Sequence, residues 1–147
     1  MCSSDLTYEA RWRESLAIAR RHRAAVTYAA GQDARKVGRL QDAARLLAEA
    51  AEADPSLRNL SEATAAMAEV DPARGRELAM AALESVQQAQ ARGVALDDRT
   101  VANVHQSCAR AFLAAGQLAS AREQAERAYA LAPSEKNRTL LNSIKLP

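Results

Sequence analysis

The chain has 147 residues, of which 48% are hydrophobic but only 3% aromatic, and its formal net charge is +2. This length suits a single domain with a sizeable core. Alanine and leucine supply most of the apolar side chains, whereas sheets favour β-branched and aromatic residues, so the composition predicts an all-α fold. The small net charge gives no indication of a nucleic-acid or membrane partner, and two cysteines exclude a disulfide framework.

The first six residues fit neither a helical nor a core pattern. They resemble the leaders found at the start of bacterial metagenomic reading frames, so we expect residues 1–6 to be non-native or disordered and the natural N-terminus to be missing. The sequence contains neither an apolar run of 18 residues nor a secretory leader. A cytoplasmic location is therefore the default expectation.

Four helices are predicted in the first half of the chain, at about 7–22, 24–37, 40–53 and 57–70. Trp12 and Leu16 stand at helical spacing in the first, which ends in the basic run Arg20 to Arg23. Gly38 and Pro55 end the second and third, because proline cannot continue the hydrogen-bond ladder and glycine favours a helix end.

Four more helices are predicted at about 72–92, 98–115, 118–131 and 134–144. Asp71-Pro72 indicates a helix start, with an N-cap followed by a first-turn proline. Gly93, Gly116 and Pro133 indicate the later breaks. Helices of this length joined by short turns predict antiparallel neighbours.

A repeat relates two of these regions at a separation of 78 residues. Gly38-Arg39-Leu40 returns as Gly116-Gln117-Leu118, Ala43 and Ala50 return as Ala121 and Ala128, and Asp54-Pro55-Ser56 returns as Ala132-Pro133-Ser134. The repeat indicates that one helical hairpin is used more than once. We predict that the repeated alanines Ala43 and Ala121 are buried where two helices meet, and that Ala44 and Ala119 are more exposed.

These residues resemble the tetratricopeptide repeat, a hairpin of 34 residues. In the last unit, Ala109, Phe112, Gly116, Ala121 and Ala128 match the family pattern, and Pro133 is its closing proline. The middle unit fits only with a shorter turn, and Gly75 then takes the small contact position. The resemblance implies an α-α superhelix of about three hairpins at 24–55, 57–92 and 97–133, with a flanking N-terminal helix and a cap at 134–144, all within one domain at 7–147.

Catalytic, cofactor-binding and metal-binding residues are not predicted. His105 and Cys108 share one helix face at a spacing of three, but a closed metal site needs two more ligands. Both fall at inward-facing repeat positions, which favours a buried thiol beside a core imidazole. The sequence also lacks phosphate-binding and nucleophile motifs, so an enzyme is not predicted.

The resemblance implies a scaffold or adaptor that binds a protein segment in a concave groove. The groove residues would be Tyr28, Gln32, Arg35, Lys36, Asn103, Gln106 and Arg110. Amides can pair with an extended peptide backbone, and arginine can hold a carboxylate. Because the sequence places no acids on the same faces, we predict an acidic or C-terminal carboxylate segment as the ligand.

Two alternatives remain open. The domain could be an accessory part of a larger, truncated redox, secretion or regulatory protein, packed against that protein in cis. Nucleic-acid binding is the other, because residues 1–39 carry eight Lys/Arg against four Asp/Glu. It is disfavoured because no aromatic platform accompanies the basic residues. The oligomeric state is not predicted.

Overall fold

Seven α-helices make up the fold in the computed structural model, which describes the backbone of residues 3–147 and the side chains from residue 7 onward. They are α1 (Ser3–Lys36), α2 (Leu40–Ala53), α3 (Leu57–Val70), α4 (Pro72–Ala91), α5 (Asp98–Ala114), α6 (Leu118–Leu131) and α7 (Glu135–Ser143). Within this described range there is no strand, and none of the helices is long and apolar enough to cross a membrane. The all-α prediction is confirmed.

One long helix, α1, replaces the two helices predicted at 7–22 and 24–37. The predicted break is wrong because no glycine or proline precedes Gly31, and the backbone ladder therefore continues through the basic run. Residues 7–23 are exposed throughout, so the apolar residues Trp12 and Leu16, which stand at helical spacing, do not face the core, and Trp12 is 59% exposed. The helix begins at Ser3, inside the predicted leader, while Met1 and Cys2 lie outside the described residues.

The helices end at the glycines and prolines that the sequence indicated. Gly38, Gly93 and Gly116 follow α1, α4 and α5 with φ between +71° and +81°, the left-handed region that closes a helix at low cost for glycine. In the two repeat copies the same closing bond forms, from Arg39 N to Ala34 O at 2.9 Å and from Gln117 N to Phe112 O at 2.8 Å. The predicted breaks at these glycines and at the prolines are confirmed.

Three hairpins, α1–α2, α3–α4 and α5–α6, stack through contacts of α3 with α2 and α5, and α7 packs on α6. The turn between α3 and α4 is the single residue Asp71, whose side chain accepts from Arg74 N at 3.2 Å. This explains why the middle unit fitted the repeat only with a shorter turn. The first helices of the hairpins and α7 form one surface, here called the groove face.

Small residues lie where helices approach most closely. Ala43 and Ala121 are buried and Ala119 is exposed, as predicted. The prediction for Ala44 is wrong, since it is only 1% exposed. It is covered because α2 packs against α3 as well as α1, whereas α6 meets only the short α7 on the corresponding side. At Gly75, an added Cβ would lie 2.9 Å from the backbone nitrogen of Ala68.

Candidate functional site

The groove face is crosslinked between α1 and α3. The guanidinium of Arg35 reaches Glu62 at 3.4 Å and Glu69 at 3.2 Å, and Gln32 Nε2 donates to Glu62 Oε2 at 3.2 Å. The prediction that acids are absent near these donors is therefore wrong. The cause is that α3 lies beside α1 and presents the carboxylates of Glu62 and Glu69 on one face, two helical turns apart. These carboxylates neutralise Arg35 at this end of the groove face.

Two further predicted residues at this end also have partners. Lys36 lies 3.9 Å from Asp33 on the same helix. The Tyr28 hydroxyl accepts from Gln32 Nε2 at 2.9 Å, and its ring carries the guanidinium of Arg58, 4.3 Å from the ring centroid. A cation over an aromatic face is attracted by the ring quadrupole, so Tyr28 fixes the direction of Arg58.

The centre of the groove face is the seam between α3 and α5. The hydroxyls of Ser61 and Ser107 lie 2.9 Å apart and are buried, and Ser61 Oγ also donates to the carbonyl of Asn103 at 3.2 Å. Small hydroxyl residues let the two helices approach closely here. Arg58 and the exposed Asn103 border a recess of about 180 Å³ along this seam.

The far end of the groove face joins α5 to α7. Gln106 Nε2 donates to Asn137 Oδ1 at 2.7 Å, so this predicted residue is occupied in holding the cap. Arg110 is exposed and, within residues 7–147, forms no ion pair. It shares a concavity of about 810 Å³ with Lys136, Thr139 and Leu140. Lys136 likewise forms no ion pair within residues 7–147, so two unpaired cations lie at this end, together with the carboxylate of Glu135, which lines the same concavity.

Sequence reasoning missed four charged residues of the groove face, namely Arg58, Glu62, Glu69 and Lys136. The first three lie on α3, in the unit that matches the repeat pattern poorly, so no position had been assigned to them. Lys136 lies within the predicted cap at 134–144, for which the sequence analysis names no groove residue. The spacing of Glu62 and Glu69, two helical turns apart on one face, was the available signal.

His105 and Cys108 bond to different neighbours. His105 Nδ1 lies 2.6 Å from Gln124 Oε1 on α6, and burial lowers the pKa of the imidazole. The Cys108 thiol donates to the carbonyl of Ala79 on α4 at 3.4 Å, and burial raises its pKa to about 12. Among the described residues, no three His, Cys, Asp or Glu side chains gather as a metal site would require. The pair therefore packs the core between different helices.

No protein-family model and no curated protein matches this chain. Solved structures do. The first TPR domain of the human RPAP3 protein, determined by NMR, superposes with a TM-score of 0.66 at 19% identity, covering 84% of this chain and 91% of that one. The fold is tetratricopeptide-like. The N-terminal domain of stress-induced protein-1 from C. elegans gives a TM-score of 0.63 at 17% identity, covering 86% and 97%.

At such identities the likeness concerns the fold alone. This chain forms three hairpins followed by a terminal helix. The superposed region covers 91% and 97% of the two compared domains. The long exposed half of α1 and the side chains of the groove face have to be interpreted from this chain itself.

Proposed function

We propose that this tetratricopeptide-like domain is a non-enzymatic interaction module that binds an extended segment of another protein along the groove face. The supporting observation is the uneven charge of that face. Glu62 and Glu69 already neutralise Arg35 between α1 and α3, whereas Arg110 and Lys136 are exposed between α5 and α7. An acidic or C-terminal carboxylate segment would therefore be held at the α5–α7 end.

Polar groups near that end suit an extended backbone. The exposed side chain of Asn103 lies one helical turn from Gln106 and two turns from Arg110 on α5. Its amide can donate to and accept from a peptide bond, while Arg110 can form a charge-assisted pair with a carboxylate. Binding would be weak, because exposed ion pairs contribute about 0–1 kcal/mol each.

The experiment is a binding titration with fluorescent acidic peptides that end in a free carboxylate, followed by anisotropy. We expect the double variant Arg110→Ala/Lys136→Ala to weaken binding about tenfold, and added salt to weaken wild-type binding as the pairs are screened. Arg76→Ala removes an exposed cation from α4, away from the groove face, and is the matched control. Equal losses in the control and the double variant would contradict the proposed location.

A second candidate function rests on the exposed half of α1. Tyr8, Trp12 and Leu16 are large apolar side chains on successive turns, and all are exposed. Such a row is unusual on a free surface and common on a packed one. We propose, as the alternative, an accessory domain that packs in cis against another part of a larger protein. Trp12 is the sole tryptophan of these 147 residues. A blue shift of its fluorescence in a longer natural chain in which any other tryptophan is replaced by phenylalanine would support this alternative, and an unshifted emission would oppose it.

A further inference from the structure

A second concavity lies away from the groove face, between α4, the 92–97 loop, α5 and α6, with a volume of about 660 Å³. Ligand-binding pockets in proteins commonly have about 300–1,000 Å³. α4 has 20 residues, against 14 in each of α2 and α6, and its extra turns supply one wall. We call this concavity the α4–α6 cleft.

Half of the residues that line the α4–α6 cleft are apolar, and Gln87 and Gln90 on α4 are among the polar half. The larger apolar side chains are Leu83, Val86, Val94, Leu96, Val101 and Leu131. Val86 and Val101 are buried and belong to the core, whereas Val94 and Leu131 are exposed at the mouth. Covering such side chains with an apolar ligand is favourable by roughly 25 cal/mol for each Å² removed from water.

Two polar side chains lie at the base of the cleft, His105 at 7% exposure and Gln124 at 5%. They bond to each other through His105 Nδ1 and Gln124 Oε1 at 2.6 Å. Because the amide oxygen accepts, Nδ1 carries the proton, which leaves His105 Nε2 as an acceptor and Gln124 Nε2 as a donor.

Neither of these remaining nitrogens bonds to another group within the described part of the chain. Among the side-chain nitrogen and oxygen atoms of the described residues, only Asn59 Oδ1 is fully buried without a hydrogen-bond partner. Both of these nitrogens, which also have no partner, therefore retain some solvent-accessible surface. The base of the cleft therefore offers one acceptor beside one donor. A hydroxyl group complements this pair, since it donates and accepts through a single atom, and it would do so equally if the two roles were exchanged.

The charges around the cleft disfavour an anion. Arg127 at the rim is paired with Glu123 at 2.7 Å, and the remaining rim charge is the carboxylate of Asp98. Burial keeps the imidazole of His105 neutral near pH 7, because it lowers the pKa of that ring. A neutral ligand thus avoids both an unpaired charge and repulsion from Asp98.

We propose that the α4–α6 cleft binds a small, neutral, largely apolar molecule that carries a hydroxyl, such as an alkylphenol. The hydroxyl donates to His105 Nε2 and accepts from Gln124 Nε2, and the hydrocarbon part lies against Val86, Leu96 and Leu131. A single side chain of a partner protein would fill only part of the volume. The proposal is independent of segment binding at the groove face.

The test is an NMR titration of the ¹⁵N-labelled full chain with 4-ethylphenol, ethylbenzene and 4-ethylbenzoate. We expect 4-ethylphenol to shift the amides of Val86, Leu96 and Gln124 in a saturable way. Ethylbenzene should bind about thirtyfold more weakly, because it lacks two neutral hydrogen bonds that contribute about fivefold each, and 4-ethylbenzoate should not saturate. Equal affinities for the first two probes, or shifts confined to other helices, would overturn the proposal.

Two variants sharpen the test. Leu131→Trp places a large ring in the mouth and should abolish saturable binding, whereas Met80→Trp adds the same ring at an exposed position of α4 outside the cleft and should not. Gln124→Leu removes one of the two hydrogen bonds and should reduce the preference for 4-ethylphenol over ethylbenzene about fivefold, while hydrocarbon binding remains. If sedimentation showed an oligomer that Leu131→Trp dissociates, a second copy of the chain would cover the cleft, and the small-molecule assignment would be wrong.

Discussion

Replacing Gly75 by alanine sets two effects against each other in one helix. Alanine has the higher helix propensity, by about 1 kcal/mol relative to glycine, and Gly75 lies in the first turn of α4. Its added Cβ, however, would lie 2.9 Å from Ala68 N, 3.0 Å from Ala68 Cα and 3.3 Å from Met67 C. All three atoms belong to the backbone of α3, so no side-chain rotation can relieve the contacts.

The magnitude follows from the movement that is needed. Ordinary contacts of a Cβ atom lie at 3.4–4 Å, so α4 would have to withdraw from α3 by roughly 0.5 Å or more, loosening a close-packed interior. Ala79 and Ala82, both fully buried on α4, would lose contact. Overpacking of this kind costs about 1–3 kcal/mol, which exceeds the propensity gain. We therefore expect Gly75→Ala to lower the free energy of unfolding by up to about 2 kcal/mol.

The assay is urea denaturation followed by far-UV circular dichroism. Ala81→Gly, at an exposed position of the same helix, measures the propensity term without a packing term and should cost about 1 kcal/mol. If Gly75→Ala raised the denaturation midpoint while Ala81→Gly behaved as expected, the close approach of α3 and α4 would be refuted.

Three further predictions concern side chains that are buried or half-buried. Ala121→Leu should cost about 1–3 kcal/mol by overpacking the α5–α6 contact, and an unchanged midpoint in urea would contradict that contact. Gln106→Leu should cost a similar amount, about 1–3 kcal/mol, because the Asn137 amide oxygen would lose its donor; Asn103→Leu, at an exposed site, is its control and should stay within about 0.5 kcal/mol. Burial holds the pKa of His105 below its ordinary 6.5. As the pH falls below 6.5, this histidine is therefore protonated in the unfolded chain before it is protonated in the folded one, and the free energy of unfolding decreases. His105→Gln should flatten that slope in thermal melts between pH 7 and 5, and an identical slope in both proteins would assign it to other groups.

Helix ends were predictable from the sequence because their causes are local. Gly38 and Gly116 occupy the same left-handed turn position, and Ser134 caps α7 by accepting from Asn137 N at 3.1 Å. The continuity of α1 was missed because the basic run Arg20 to Arg23 resembled the last turn of a helix, where cations are favourable, although no residue there terminates a helix.

The groove face was only partly predictable, because its contacts join distant parts of the chain. Arg35 and Glu62 are 27 residues apart, and they meet only because the second hairpin stacks on the first through α2 and α3. The side chains of Tyr28 and Gln106 lie near this face, and their partners depend on that stacking. The burial of Ala44 was missed for the same reason, since one hairpin alone leaves it uncovered.

The two halves of the single long helix α1 should also differ in local stability. Its 34 residues correspond to a rod of about 50 Å at about 1.5 Å per residue, and only the part beyond Arg23 is braced by α2. Unsupported helices of this length are marginal in water. The amide protons of the outer half should therefore exchange with solvent through local unfolding, whereas those of the inner half should exchange only through global unfolding. Where no other surface covers it, the outer half of α1 should unfold and refold repeatedly in solution while the inner half stays packed on α2.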